Sequence, residues 1–316
     1  MGEFQLIEQL QRQTRIPAPG VILGIGDDAA VLEIPAGHHL VAATDTLNAG
    51  VHFPVDTSPF DIGYKCLAVN LSDLAAMGAT PQWVLLSLSL PQADTDWMES
   101  FTAGFMSLAH VYGVALVGGD TTSGPLSVGL TALGSVEPGR QLVRSGAQAG
   151  DLIIVSGTVG GAARVLDLGS ETAPEKDRVL LNRPQPRVRL GQALSGHASA
   201  CIDISDGLLA DLAHLLKASG CAARLATDKL PIPGILAGLD DERRWGYQLA
   251  GGDDYELLFC LPKSSKALLE IWSKELDIGL SVIGTVEDGE GISCIAPDGS
   301  EFLPGRTCWD HFGGKT

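Results

Sequence analysis

The chain has 316 residues, 45% of them hydrophobic and 5% aromatic, and its 38 acidic residues against 21 basic ones give a formal charge of -17. This length suits two domains of ordinary size, and a composition led by Ala, Val, Leu and Gly favours α/β layers over an aromatic-rich sandwich. The charge argues against a general nucleic-acid binder or a binder of anionic membranes, because both need an excess of Lys and Arg.

Cysteine usage and the first residues point to the compartment. The six cysteines form no CxxC pair and most lie in apolar runs, which favours buried, reduced thiols over a disulfide framework or a zinc site. The opening MGEFQLIEQLQRQ lacks the apolar stretch of a signal peptide, and no apolar run reaches the about 20 residues that span a bilayer. We expect a soluble, cytoplasmic protein with no nucleic-acid and no membrane partner.

Strand and helix patterns alternate along the first part of the chain. Asp94 and Thr95 are candidate caps for one of the helices. Hydrophobic spacing predicts helices over residues 3–14, 59–78 and 94–112, and strands over 29–34, 39–47, 83–90, 114–117 and 126–136.

A polar, glycine-rich stretch, EPGRQLVRSGAQAGD, separates two parts of similar make-up. We therefore place a boundary near 138–150 and expect domains at 1–138 and 139–316. Each is expected to be a mixed α/β (α+β) layer structure. The second part is predicted to hold strands over 152–156, 200–204, 247–261, 281–286 and 292–296, and helices around 160–168, 186–195, 208–218 and 265–276.

Short acidic segments recur along the chain. In most of them a strand is expected to run into a turn that carries aspartate beside glycine, where the backbone can approach a ligand closely. Each one alone is equally compatible with an ordinary turn cap, so their recurrence is the signal. The segments are GIGDDAA (24–30), TDTLNAG (44–50), NLSDLAAMGA (70–79), GGDTT (118–122), IDISDG (202–207) and GGDDYE (251–256).

Asp73 is the hardest of these carboxylates to explain as a cap. It is surrounded by apolar residues in LAVNLSDLAAMGA, and Asn70 lies one turn earlier on the same helix face. An unpaired buried carboxylate is costly, so Asp73 needs either a metal ion or an Arg or Lys from elsewhere in the chain. The other aspartates favour the metal.

The segment IDISDG presents its polar groups together. On a strand, Asp203 and Ser205 point to the same side, and Asp206 begins the turn into a helix whose N-terminus favours phosphate. Hard oxygen ligands of this kind suit Mg²⁺, which completes its shell with water and substrate phosphates. Several such sites around one cleft fit phosphoryl transfer.

Other nucleotide and catalytic motifs are missing. The chain has no GxxxxGK[ST], no protein-kinase HRD and DFG pair, no GxSxG and no HExxH. GTVGGAA at 157–163 lacks the GxGxxG spacing and predicts a simple strand–helix turn. His52 follows an acidic turn and is either a substrate contact or a surface residue. Arg144 is either a phosphate clamp or a surface arginine.

Taken in order, the segments resemble one family. GIGDDAAVL, TDTLNAGVHF, YKCLAVNLSDLAAMGA, VGGDTT, RSGAQAGD, IDISDGL, GGDDYEL and WDHF resemble the bacterial thiamine-monophosphate kinases over residues 2–312. Each motif is modest by itself, and the ordered set is specific. That family belongs to the aminoimidazole ribonucleotide synthetase-like ATP-binding enzymes.

The resemblance implies a reaction and an assembly. The reaction is transfer of the γ-phosphate of ATP directly to thiamine monophosphate, giving thiamine diphosphate and ADP, with several Mg²⁺ ions and often K⁺. The implied fold has two mixed-sheet domains. The N-terminal domain binds ATP and Mg²⁺, and it pairs with a second copy to form a shared β-barrel in a homodimer.

The resemblance also implies roles for individual residues. Asp253 departs from the family pattern in detail, since some relatives carry Glu there. No general base is evident, and none is needed because the acceptor is already an anion. The implied metal ligands are Asp28, Thr44, Asp45, Asp73, Asp120, Asp203 and Asp206; the implied ATP-site residues are Tyr112, Gly119, Asp120, Arg144 and Ser205; and the implied acceptor-site residues are His52, Asp253 and Trp309.

Two alternatives remain. A sister enzyme with another acceptor is disfavoured, because no cysteine precedes Cys66 and the chain ends HFGGKT rather than in cysteine. A non-catalytic metal or nucleotide binder would keep the same acidic segments, and it differs in releasing no ADP when thiamine monophosphate is added.

Overall fold

The computed structural model describes residues 10–14, 18–169 and 172–302. The chain divides into two compact units: the first extends to Gly139 apart from Ala75–Gly78, which group with the second unit, beginning at Arg140. Each unit has its own sheet and its own helices, so the predicted mixed α/β class is confirmed. Residues 10–13 are helical, and residues 3–9 of the predicted first helix lie outside the described residues.

The first unit is built on a four-stranded mixed sheet of order β3-β6-β4-β5. Strands β4 and β5 are parallel and are joined through helix α2, whereas β6 is antiparallel to both of its neighbours. A separate antiparallel pair, β1 and β2, precedes the sheet. The elements are β1 (Val21–Leu23), β2 (Val31–Leu32), β3 (His39–Asn48), α1 (Pro59–Ala76), β4 (Thr80–Leu90), α2 (Thr95–Tyr112), β5 (Ala115–Ser123) and β6 (Ser127–Val136).

The two helices of the first unit approach each other through glycine. A Cβ on Gly63 of α1 would collide with the backbone carbonyl of Phe101, and one on Gly104 of α2 would collide with the carbonyl of Phe60. Asp94 caps α2 as predicted, its Oδ1 accepting from the N–H groups of Asp96 at 3.0 Å and Trp97 at 3.1 Å.

The second unit has a six-stranded sheet of order β12-β9-β11-β7-β10-β8. Only β12 and β9 run parallel within it. The elements are β7 (Leu152–Ser156), α3 (Gly161–Leu168), α4 (Glu175–Asn182), α5 (Val188–Leu194), β8 (Ala200–Asp203), α6 (Leu208–Ser219), β9 (Ala222–Ala226), α7 (Asp241–Ala250), β10 (Leu257–Leu261), α8 (Ala267–Leu276), β11 (Leu280–Glu287) and β12 (Ile292–Ile295).

The strand predicted over 247–261 is wrong. Residues up to Ala250 end helix α7, a loop follows, and only β10 is a strand. The helix begins where Asp240 Oδ1 accepts from the N–H of Arg243 at 3.0 Å, and acidic residues fill its first turn. Because this helix contains few apolar residues, hydrophobic periodicity does not predict it.

The prediction of a turn at GGDTT is also wrong. Strand β5 continues through Ser123, and Asp120 pairs in register with Ser87 of β4. Gly119 makes this possible, because a Cβ at that position would collide with the backbone of Leu86. The glycines therefore serve a close strand approach rather than a turn.

The predicted burial of the thiols is confirmed for those within the described ranges. Cys66, Cys201, Cys221, Cys260 and Cys294 are buried and free. Burial, with a smaller effect from Glu301, raises the pKa of Cys294 to about 11. Across residues 10–14, 18–169 and 172–302, no helix combines the length and apolarity needed to cross a membrane.

Two glycine-to-alanine substitutions should have opposite effects on stability. Gly104→Ala forces a methyl group into the backbone of α1 and should lower the free energy of unfolding by about 1–3 kcal/mol. Gly246→Ala, in helix α7, adds a methyl group that meets no other described residue within 4 Å apart from the helix's own backbone, and it should raise the free energy of unfolding by about 0.5–1 kcal/mol. Urea unfolding measures both, and equal effects would contradict the close helix approach.

Candidate functional site

The Asp45 and Asp73 side chains meet in the first unit. Asp45 lies in β3, Asp73 lies on α1, and a hydrogen bond joins their carboxyl groups. Burial raises the pKa of Asp45, while the bond from Asp73 and the nearby His52 oppose that rise. Two carboxyl groups this close cannot both ionise without help, so they hold either a shared proton or a cation.

His52 is held from both sides in the loop after β3. Its Nδ1 accepts from the N–H of Asn48 at 2.9 Å, and its carbonyl accepts from Lys65 Nζ at 3.0 Å. Because Nδ1 is an acceptor, the neutral ring carries its proton on Nε2. Lys65 is buried on α1 and brings a cationic side chain to the His52 loop. It was not among the predicted site residues.

Thr44 and Asp120 lie on the other face of the sheet from Asp45. Thr44 Oγ1 donates to the carbonyl of Leu130 at 3.1 Å, and neighbours alternate faces along a strand. This open face, which we call the hydroxyl face, surrounds a cavity of about 350 Å³. Its polar lining comprises Thr44, Thr46, Ser87, Ser89, Asp120, Ser127 and Thr131.

The remaining predicted residues of the first unit are more scattered. Asp27 and Asp28 are both exposed between β1 and β2, and Asp27 Oδ1 accepts from the N–H of Asp28 at 2.9 Å, which suits a turn-forming role for Asp27. Tyr112 is the last residue of α2, whereas Gly119 lies beside Asp120 in β5 and lines the cavity of the hydroxyl face.

In the second unit, the loop after β8 is organised around one carboxylate. Asp211, in the first turn of α6, is 3% exposed. Its Oδ2 accepts from the N–H groups of Ser205 at 3.0 Å, Asp206 at 3.1 Å and Gly207 at 3.2 Å. Burial, and then the charges of Asp203 and Asp206, raise the pKa of Asp211 to about 7. These three loop N–H groups therefore donate to a side chain of the protein, and the expected phosphate contact through them is not formed in this arrangement.

The GGDDYE loop (251–256) is hydrogen-bonded to the loop that follows β8. The N–H of Asp253 donates to the carbonyl of Ser205 at 2.9 Å, and that of Tyr255 donates to the carbonyl of Ile204 at 2.8 Å. Ile204 N–H returns a bond to the carbonyl of Glu256 at 2.9 Å. Asp253 and Tyr255 have φ of 69° and 51°, a left-handed geometry that costs of order 1–2 kcal/mol per residue. The hydrogen bonds hold the strained loop, so Asp253 and Ser205 are fixed to each other.

Asp254 closes the glycine-rich turn before α3. Its Oδ2 accepts from the N–H of Gly160 at 2.7 Å. The turn therefore carries a carboxylate of the protein where a nucleotide loop would carry phosphate. Burial raises the pKa of Asp254 well above its ordinary value, with smaller contributions from Glu256 and Asp253, while backbone N–H groups of Gly160 and Ala162 oppose the rise.

A buried ion pair anchors the end of the same loop. Arg187 Nε donates to Glu256 Oε2 at 2.6 Å and a second guanidinium nitrogen donates to Oε1, so the pair is bidentate. Ser156 Oγ also donates to Glu256 Oε2, at 2.5 Å. Sequence reasoning missed this pair, because the partners are distant in the chain and no motif joins them.

The remaining predicted positions contribute no convergent group. Arg144 is exposed, and its carbonyl accepts from Ser219 Oγ at 3.1 Å. Trp309 lies outside the described residues. Within the part of the chain that the structure describes, no three His, Cys, Asp or Glu side chains are arranged to hold a metal ion by themselves. Pairs of carboxylates are the available donor sets.

The buried carboxyl of Asp254 should make stability depend on pH. The folded protein keeps a proton that the unfolded chain releases near pH 4, so this group lowers the free energy of unfolding as pH rises from about 4 towards its raised pKa. Asp254→Asn should therefore lose less stability between pH 5 and pH 8 than the parent chain does. Urea unfolding at both pH values measures this. The exposed Asp288→Asn should keep the parent slope, and a parent-like slope in Asp254→Asn would refute the assignment.

Two family models together match most of the chain. The AIR synthase related protein, N-terminal domain, matches residues 26–136, and the AIR synthase related protein, C-terminal domain, matches residues 148–296. The thiamine-monophosphate kinase of Salmonella typhimurium is 44% identical over 320 residues, which cover 98% of each chain.

Solved structures share the architecture. The crystal structure of thiamine-monophosphate kinase from Stenotrophomonas maltophilia is 47% identical, with a TM-score of 0.87 over 96% of this chain and 98% of that one. A structure named "AaThiL complexed with AMPPCP and TMP" is 33% identical, with a TM-score of 0.76 over 98% of this chain and 97% of that one. The similarity extends over both units.

Proposed function

Because the chain belongs to the thiamine-monophosphate kinase family, we propose that it transfers the γ-phosphate of ATP to thiamine monophosphate, giving thiamine diphosphate and ADP. The observation that carries this proposal is the match over 98% of the chain to a structure named as a complex with AMPPCP and TMP. AMPPCP is an analogue of ATP with a methylene group in place of the β–γ bridging oxygen.

The reaction needs positioning and charge neutralisation more than acid–base chemistry. A phosphate oxygen of thiamine monophosphate attacks the γ-phosphorus, and the bond from that phosphorus to the β–γ bridging oxygen breaks, so ADP leaves with the electron pair. The attacking oxygen is already anionic, so no residue has to remove a proton from it. The chain must instead hold two anions in line.

The carboxylate pairs suit Mg²⁺. A divalent cation could replace a proton between the Asp45 and Asp73 carboxyl groups, and oxygen donors are what Mg²⁺ prefers. When bound, Mg²⁺ would neutralise and orient the phosphates. The proposed ligands are Asp28, Thr44, Asp45, Asp73, Asp120, Asp203 and Asp206, and a role for K⁺ rests on the family resemblance.

The proposed substrate contacts divide into an ATP set and a thiamine monophosphate set. Tyr112, Gly119, Asp120, Arg144 and Ser205 are assigned to ATP, and His52, Asp253 and Trp309 to thiamine monophosphate. The fixed bond between Asp253 and Ser205 supports this pairing of roles, since it links an acceptor-side residue to a nucleotide-side one. An indole at Trp309 suits a cationic thiazolium.

The proposed assembly is a homodimer formed through residues 1–138. The homodimer and its shared β-barrel rest on the family resemblance. Residues 139–316 form the second proposed domain. A cytoplasmic setting suits the buried free thiols.

A product assay tests the function directly. With ATP and Mg²⁺, the protein should release ADP only when thiamine monophosphate is present, and chromatography should find one thiamine diphosphate for each ADP. Nucleotide binding without ADP release would instead support the non-catalytic alternative. ADP release with a different acceptor would support a sister enzyme.

Asp206→Asn should separate catalysis from folding. Loss of this carboxylate should lower kcat by at least about tenfold and raise the Mg²⁺ concentration needed for half-maximal rate, while the melting temperature stays within a few degrees. Steady-state kinetics over a Mg²⁺ series measures the first two quantities. The exposed Asp288→Asn is the matched control, and parent kinetics in Asp206→Asn at every Mg²⁺ concentration would remove Asp206 from the site.

A further inference from the structure

The Asp211 carboxylate occupies an anion site that the loop itself builds. The N–H groups of three consecutive residues, Ser205, Asp206 and Gly207, converge on its Oδ2 within 3.2 Å. Successive N–H groups aimed at one point form the concavity that proteins use to bind anions. Here the anion is a side chain of the following helix, one that neither the sequence motifs nor the family resemblance assigned.

The loop that Asp211 holds carries the proposed ligands of the second unit. Asp203 ends β8 directly before it, and Asp206 is itself one of the N–H donors. The GGDDYE loop is attached to it by a hydrogen bond from the N–H of Asp253 to the carbonyl of Ser205. A change at Asp211 would therefore move metal-side and acceptor-side residues together.

The geometry of the contact gives Asp211 a direct hold on the loop. Three backbone N–H groups donate to one oxygen of a side chain that is 3% exposed. Any group that keeps an acceptor at this point can hold the same three N–H groups, whereas its loss leaves them without this partner.

We propose that Asp211 is a positioning residue for phosphoryl transfer: it fixes residues 205–207 so that Asp203 and Asp206 present their carboxylates to Mg²⁺, without touching substrate itself. This inference rests on the proposed function. Partners that orient metal ligands in this way typically change metal affinity or activity by about 10- to 100-fold when removed.

Asp151 offers a matched control in the same unit. It is also a buried aspartate that closes a turn, accepting from the N–H of Gln148 at 3.0 Å and from Ser199 Oγ at 2.6 Å. Neither Gln148 nor Ser199 is a proposed ligand. Asp151→Ala therefore measures the effect of losing a buried structural carboxylate alone.

The test compares Asp211→Ala, Asp211→Asn and Asp151→Ala by melting temperature and by kinetics over a Mg²⁺ series with ATP and thiamine monophosphate. Asp211→Ala should raise the half-saturating Mg²⁺ concentration by at least about tenfold and lower kcat, and Asp211→Asn, which keeps an acceptor, should recover most of both. Asp151→Ala should lower the melting temperature with unchanged Mg²⁺ dependence. Unchanged Mg²⁺ dependence in Asp211→Ala, or the same shift in Asp151→Ala, would overturn the proposal.

Two further arms cover the other outcomes. If Asp211→Ala does not fold, Asp211→Glu decides, because it keeps the charge but displaces the carboxylate by one methylene; it should still shift the Mg²⁺ dependence, and parent behaviour would overturn the proposal. If the parent chain makes no thiamine diphosphate, the proposed function fails. Calorimetric binding of Mg²⁺ with AMPPCP then tests the positioning role, which requires weaker binding in the Asp211 variants and parent-like binding in Asp151→Ala.

Discussion

Carboxylates crowded at the ends of strands persist only where each negative charge has a donor or a cation beside it. In the second unit the protein supplies that compensation for the carboxylates that shape its loops. Asp211 accepts hydrogen bonds from three loop N–H groups, and Asp254 accepts one from the N–H of Gly160. Glu256 is paired with the Arg187 guanidinium. The rest of the site depends on these partnered carboxyl groups, because their hydrogen bonds fix the backbone from which the proposed metal ligands project.

The sheet topology brings the two important loops of the second unit together. Strands β8 and β10 are antiparallel neighbours, with Asp203 opposite Leu257. The chain leaving β8 therefore runs beside the chain entering β10, and backbone bonds between Ile204, Ser205 and residues 253–256 close the gap. Two segments separated by about fifty residues are therefore joined by backbone hydrogen bonds, and these bonds support the left-handed residues of the second segment.

Periodicity predicted most of the strands and helices, and it failed for physical reasons that can be named. Helix α7 escaped notice because its sequence, DERRWGYQLA, is mostly polar and is started by a cap and acidic residues. Asp120 was expected in a turn because glycine usually marks one, whereas here Gly118 and Gly119 let two strands approach. The Asp45–Asp73 pairing could not be predicted from local sequence, because it depends on how strand β3 packs against helix α1. Asp211 was within reach: it lies in LLADLAHLL, where a carboxylate among apolar residues calls for the same question that was asked of Asp73.

Internal carboxylates also explain how an acidic chain can serve phosphate chemistry. In the turn before α3 and in the loop before α6, backbone N–H groups near a helix N-terminus donate to an aspartate of the protein, where a phosphate is another possible acceptor. A formal charge of -17 further opposes direct binding of two phosphate-bearing substrates. Under the proposed function, phosphate would be bound through cations held by the remaining carboxylates, and a negatively charged site attracts such cations. The acidic composition and the proposed phosphotransfer are consistent for this reason: cations held by the proposed ligands would offset the negative charge of both substrates.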